Sequence, residues 1–211
     1  MRSILLFLLF ASANFGVQAQ PAGYKPVASL PAFKQQFAAA AQKTQSIKSD
    51  FVQTKNLAML EDKMVSKGKF WFKKNSMVRM EYSQPFSYLM IMNQDAVYIK
   101  DGQKENKVNT RGNKLFQQIN KIMVDCIQGT ALDNKDFTTA VYEGAQGYLI
   151  AMTPTAKNLK AFFTNIQVVV GKKDLGVNSI DMLEPGGDNT LINFTNKEIN
   201  AAIPDAVFAV K

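Results

Sequence analysis

"KGKFWFKK", residues 67–74, decides how the rest of the chain is read. Aromatic residues interleaved with lysines suit a strand that stacks nucleic-acid bases. They suit equally a β-strand with one face on an apolar interior and the other in water. Alternation separates the two. Successive side chains of a strand point to opposite faces, so Phe70 and Phe72 fall on one side and Lys67, Lys69, Trp71 and Lys73 on the other. The phenylalanines therefore cannot stack bases on the face whose lysines would grip the phosphates. The RNA-binding strand signature also needs an aromatic where Lys69 stands and a small residue where Phe70 stands. No nucleic-acid partner is expected.

The same period of two runs outward in both directions. Ile47 to Lys55 alternates, with Ile47, Ser49, Phe51 and Gln53 sharing a face. Met77 to Tyr82 sets Val78, Met80 and Tyr82 against Arg79 and Glu81, and Tyr88 to Met92 is apolar throughout. Ala96 to Lys100 ends at Asp101-Gly102, a turn signal before another short extended piece. Further strands are expected over Phe137 to Glu143, Tyr148 to Thr153, Phe162 to Val170, Ser179 to Leu183 and Thr190 to Phe194, punctuated by glycines. Phe208 to Val210 is expected to close the sheet. About eleven short antiparallel strands must curl. The expected fold is mainly β, of α+β type: an antiparallel meander curled into a barrel or an incomplete one, with helices as the candidates to cover its concave face.

Two segments keep a helical period instead. Ser29 can cap a helix that tolerates Pro31 in its first turn, and Leu30, Phe33, Phe37, Ala41 and Thr44 then form one stripe. Between Asn113 and Gly129, Leu115, Phe116, Ile119, Ile122, Met123, Cys126 and Ile127 form a stronger one, with glycine just past its end. Residues 20–29, with Pro21, Gly23 and Pro26, read as a loose leader.

Residues 1–19 read as a secretory signal peptide. Arg2 is the basic start, residues 4–13 are almost purely apolar, and Val17-Gln18-Ala19 offers small residues at the cleavage site. Residues 20–211 are then a single domain released outside the cytoplasmic membrane. One cysteine cannot form an intrachain disulfide, and Cys126, among Met123, Val124 and Ile127, reads as a buried thiol. The chain has no histidine, which removes His-based nucleophile systems and metal sites. No cofactor, metal or catalytic residue is expected. The net charge of +8 is carried almost wholly by lysine: a solvated surface, or a footprint for acidic partners and anionic head groups.

Phe70, Phe72, Met80, Tyr82 and Met90, taken alone, read as plain barrel core. Ten methionines and fifteen phenylalanines weigh towards an interior able to repack around guests. "SIKSDFVQTK" (46–55), "GKFWFKKNSMVRMEYSQP" (68–85), "NQDAVYIKD" (93–101) and "YLIAMTPTAKNLKAFF" (148–163) together resemble the periplasmic outer-membrane lipoprotein carrier family, LolA-like. The resemblance implies an unclosed, strongly curved antiparallel β-barrel of about eleven strands, with helices as a lid over a hydrophobic cavity that carries the acyl chains of lipoproteins. The partners it implies are acylated lipoproteins, an inner-membrane ABC-type release complex and an outer-membrane acceptor, with the carrier itself a monomer. A carrier or sensor of another envelope lipid is the alternative on the same fold. By resemblance the cavity residues are Phe51, Phe70, Phe72, Val78, Met80, Tyr82 and Met90, and the lid residues Leu115, Phe116, Ile119, Ile122 and Met123. The family commonly has Lys-Arg-Pro after its Gly-x-x-Trp strand, the arginine latching the lid. This chain has Lys73-Lys74-Asn75, which leaves the latch to Lys74, without the planar fork of arginine, or to Arg79.

Overall fold

The computed structural model describes residues 21–60, 62–93, 96–102, 104–109 and 114–209; side chains at 96, 104–109 and 114–120 are not described. The signal peptide expected at the N-terminus lies outside these residues. Twelve strands form one antiparallel sheet: β1 (Tyr24–Pro26), β2 (Ser46–Leu57), β3 (Asp62–Lys73), β4 (Met77–Gln84), β5 (Tyr88–Asn93), β6 (Ala96–Asp101), β7 (Lys104–Asn109), β8 (Phe137–Gly144), β9 (Gly147–Pro154), β10 (Asn165–Gly171), β11 (Val177–Leu183) and β12 (Asn189–Ile199). Their order is β1-β8-β9-β10-β11-β12-β2-β3-β4-β5-β6-β7, with β1 and β7 as unjoined edges. The barrel is unclosed, as the family resemblance implies.

Helix α1 (Leu30–Lys43) begins where Ser29 Oγ accepts from the Ala32 amide at 3.3 Å. Phe33 and Phe37 are its buried residues. Helix α2 (Lys114–Gln128) ends at Gly129, which sits at φ +73°. A Cβ there would lie 2.8 Å from the Ala41 Cβ and 2.9 Å from the Ala38 Cα, so only glycine lets the end of α2 rest on α1. Both helices join the sheet's inner face in one core with Phe51, Phe70, Phe72, Ile150, Val168 and Ile180. Gly68 has the same packing logic within the sheet. The Phe51 ring lies 2.8 Å from where its Cβ would be, so the glycine makes room for an aromatic on the neighbouring strand.

Three expectations are corrected. The leader is not wholly loose: Tyr24–Pro26 pairs with Gly144–Tyr142 and adds a twelfth strand. Phe208 does not extend the sheet. It ends a short 3-10 helix, Asp205–Phe208, and is buried on the outer face with Ile91, Tyr98 and Ile203, against Trp71. Phe162 and Phe163 lie before β10, after a single-turn helix α3 (Lys157–Lys160). Hydrophobicity marked both segments as buried, but two or three apolar residues in a row carry no period. The outer face of residues 67–74 is accordingly not all solvated: Trp71 is covered by the C-terminal segment, and Lys73 Nζ donates to the Ile203 carbonyl at 2.9 Å.

Candidate functional site

A cavity of about 530 Å³ lies inside the sheet between β4, β5, β11 and β12, under α2 and the turn after α3. Alternation brings Met80 and Tyr82 of β4 and Met90 and Met92 of β5 to its wall, and Met182 and Ile192 face them from β11 and β12. Met123 closes it from α2, and Phe162 and Phe163 from the turn. The exposed Ala161, Pro185 and Gly186 mark its mouth. Five of the ten methionines line this one space, so the wall is unbranched, polarisable and free to change rotamer.

The polar groups present are neutralised. Tyr82 Oη donates to Gln53 Oε1 at 2.9 Å, and its ring meets Phe51 and Tyr88 edge-on at 4.8 and 5.5 Å. Burial, then the neighbouring Tyr88, pushes the Tyr82 phenol up to about 12. Burial, then Asp101, also raises Tyr88. Both stay protonated at neutral pH. Glu184 at the mouth pairs with Lys55, which lies 3.7 Å from Asp188 as well. What remains is a largely apolar pocket, its polar lining being Gln53, Thr190, the two tyrosine hydroxyls and the paired Glu184 at the mouth, and such a lining favours hydrocarbon.

The expected cavity residues divide. Met80, Tyr82 and Met90 line the space, whereas Phe51, Phe72 and Val78 are packed in the core, each no more than 2 % exposed. Phe70 borders a much smaller apolar pocket of about 20 Å³ with Ile47, Ser49, Ile180 and Phe194. Met123 borders both spaces and so stands between them. Of the lid residues, Ile122 and Met123 are buried against the sheet; the side chains of Leu115, Phe116 and Ile119 lie outside the described residues.

The two latch candidates part company. Lys74 Nζ donates to the Gln42 carbonyl near the end of α1 at 3.4 Å, so it holds the first helix rather than α2. Arg79 is not a latch. It lies on the outer face, 5.5 Å over the Trp71 ring, donating to Glu81 and to the Val207 carbonyl at 3.1 Å. Alternation puts it there, opposite Val78 and Met80. The end of α2 is held instead by Asp125, which accepts from Lys121 at 2.7 Å and from Asn134 at 2.8 Å, and by an ion pair from Lys34 of α1 to Asp133.

Met92, Phe162, Phe163, Met182 and Ile192 were not singled out from the sequence. Met182 and Ile192 had a usable signal, since each lies on the inward register of its strand. Met92 sits in a run that is apolar on both faces, and the two phenylalanines lie in a turn that no period announces.

A family model described as outer membrane lipoprotein carrier protein LolA matches residues 42–211. No curated protein matches in sequence. Among solved structures, MucB is 12% identical at a TM-score of 0.52, covering 85% of this chain and 62% of that one, a likeness of fold. A LolA superfamily protein from Nitrosomonas europaea is 10% identical, with 84% and 97% covered and a TM-score of 0.46. The lipoprotein LppX of Mycobacterium tuberculosis is 12% identical, with 83% and 99% covered and a TM-score of 0.45.

Proposed function

Because the chain belongs to the LolA family of outer membrane lipoprotein carriers, we propose that the cavity shields the acyl chains of lipoproteins between the inner and outer membranes. The observation that carries this reading is the apolar, methionine-lined pocket beneath a helix. An N-terminal secretory signal would bring the mature domain, residues 20–211, to the periplasm. There it would receive cargo from an ABC-type release complex and pass it to an outer-membrane acceptor.

The energetics set the design. At about 0.8 kcal/mol per methylene, three long chains carry roughly 30 kcal/mol of hydrophobic cost in water, so free release is negligible and cargo must pass from surface to surface. Non-covalent affinity saturates near about −20 kcal/mol, and a carrier near that limit would not unload. Lid contacts offer the correction. Lifting α2 gives up the burial of Ile122, Met123 and Ile127, which offsets part of what the guest gains. A space of 530 Å³ is within the usual range for one small ligand, so three chains need α2 to move.

That volume also favours a second reading, a carrier of an envelope lipid with fewer chains. Transfer of a triacylated lipoprotein from inner-membrane vesicles into solution tests the first. The wild-type protein should release it, and Met90→Trp, which fills the cavity, should not. Equal release by both would overturn the cavity's role. Mass spectrometry of lipid extracted from the natively purified protein separates the two readings.

A further inference from the structure

We infer that the β2–β3 hairpin tip docks on an anionic phospholipid bilayer and sets the cavity mouth against the membrane surface. Seven large apolar side chains are exposed among the described residues, and five of them gather on one rim. Met59 and Leu60, 92 % and 71 % exposed, occupy the tip itself. Met64 and Val65 follow on β3, and Phe86, 76 % exposed, sits in the turn between β4 and β5. The register explains why they stand out. β4 ends at Gln84, paired with Lys67, so residues 62–66 of β3 have β2 on one side and no strand on the other. The hairpin projects past its neighbour, and Phe86 lies just beyond the end of that neighbour.

The projecting tip is tied to the cavity. The Ala58 amide donates to Asp188 Oδ1 at 3.0 Å, and Lys55 pairs with Glu184 and Asp188 of the β11–β12 turn. Glu184, Pro185 and Gly186 of that turn line the mouth. A surface that receives Met59 and Leu60 is therefore brought up to the opening.

Two features favour a bilayer over a protein partner. The apolar groups stand on a projecting hairpin and on a separate turn rather than on one flat patch, and a fluid interface accepts such shapes without a complementary surface. Lys63 and Lys67, both exposed, flank Met64 and Val65, within a chain of net charge +8. Lysines beside inserted apolar groups are drawn to anionic head groups. Two acidic residues, Glu61 and Asp62, precede Lys63 in the sequence, and Asp62 accepts from the Lys63 amide at 2.7 Å, so the attraction rests on Lys63 and Lys67 together with the basic balance of the whole chain. The inference deepens the carrier reading by naming the surface at which the cavity opens.

Flotation with vesicles of phosphatidylethanolamine and phosphatidylglycerol tests it. The wild-type protein should float with them. The double variant Met59→Ser, Leu60→Ser should partition about tenfold less or weaker still, with its circular dichroism unchanged. Phosphatidylcholine vesicles should bind the wild-type protein less. A second probe avoids reliance on the loss: Leu60→Cys carrying an environment-sensitive dye should shift to the blue on vesicle addition, since Cys126 is 1 % exposed and leaves labelling to the new thiol. Wild-type protein that stays with the solution, a variant that floats equally, or a dye that does not shift overturns the inference. So does a dimer of the chain that the double variant abolishes while vesicles remain unbound, which would make the tip a self-interface. Uptake of a fluorescent fatty acid, measured without vesicles, reports the carrier reading separately. Its failure would leave the vesicle result standing.

Discussion

One sheet makes a solid wall and a hollow one. Under β8, β9 and β10 the inner face carries Val141, Ile150, Met152, Ile166, Val168 and Val170, five of the six β-branched, all 5 % exposed or less and none bordering the cavity. Across β4 and β5 the same pleat presents Met80, Tyr82, Tyr88, Met90 and Met92, and the space stays open. β-Branched side chains have one favoured χ1 and interdigitate at fixed spacing. Methionines have three rotatable bonds and can line a void or fill it. The difference teaches where the protein keeps its stability and where it keeps its adaptability: the first wall holds the fold, and the second can yield to a guest.

Truncation on the two walls should break that comparison most visibly if it is wrong. Ile150→Ala removes packing on every side of a fully buried group, and should cost about 3–5 kcal/mol. Met90→Ala borders a space already open, where part of the side chain has no partner atoms to lose, and should cost about 2 kcal/mol or less. Denaturant midpoints measured on both variants decide this. Equal losses would mean that the hollow wall is packed as tightly as the solid one.

The helices span both walls, and Gly129 is where they are pinned. Gly129→Ala forces a left-handed residue to carry a Cβ that collides with α1, and should cost about 1–3 kcal/mol. Because the strain falls at the end of α2, the helix should loosen ahead of the sheet. Cys126, on α2 and 1 % exposed, with its thiol pushed up to about 12 by burial and by Asp125, reports this directly. Its labelling by a thiol reagent should be slow in the wild-type protein and clearly faster in the variant. Unchanged labelling would mean that α2 does not move independently.

How much of this could be read from the chain follows from which interactions are local. Phe70 and Phe72 against Trp71, and Val78 and Met80 against Arg79, place the inner and outer faces by alternation alone. The α2 stripe ending at Gly129 is equally legible. Whether an inward residue meets a neighbour or a void is set by strands over a hundred residues away. That is why Phe51 and Met80 look alike in sequence, yet one is core and the other cavity wall. Trp71 and Arg79 show the same gap on the outside, where they meet a C-terminal segment that no period ties to them.

Tyr82 sharpens the picture of the hollow wall by its response to pH. Its folded phenol titrates at about 12, above the ordinary value near 10, so folding favours the protonated form. The associated stability is intact below pH 10 and is lost as pH rises towards 12. A two-unit shift corresponds to at most about 2.7 kcal/mol across that window. Tyr82→Phe should flatten the alkaline loss, leaving the parts due to Tyr88 and Cys126, whose values burial also raises. At neutral pH it should cost only about 0.5–1.5 kcal/mol, for the bond to Gln53. Melting followed from pH 8 to pH 12 checks both.

The smallest expected effect lies at the seam between the two walls. Ser49 is 3 % exposed, and its Oγ has no hydrogen-bond partner, although it faces the small apolar pocket beside Met123. A buried hydroxyl without a partner costs more than the methyl that would replace it. Ser49→Ala should therefore leave stability unchanged or raise it by up to about 1 kcal/mol, whereas most buried substitutions lower it. The alternative is that the pocket fills when α2 lifts and Oγ then bonds a polar group of the guest. In that case Ser49→Ala would be neutral in the empty protein and weaken lipid retention. Measuring the melting midpoint with and without a bound fatty acid tells a vestigial polar group from one that waits for cargo, because only the second makes the variant's gain on binding smaller than the wild type's.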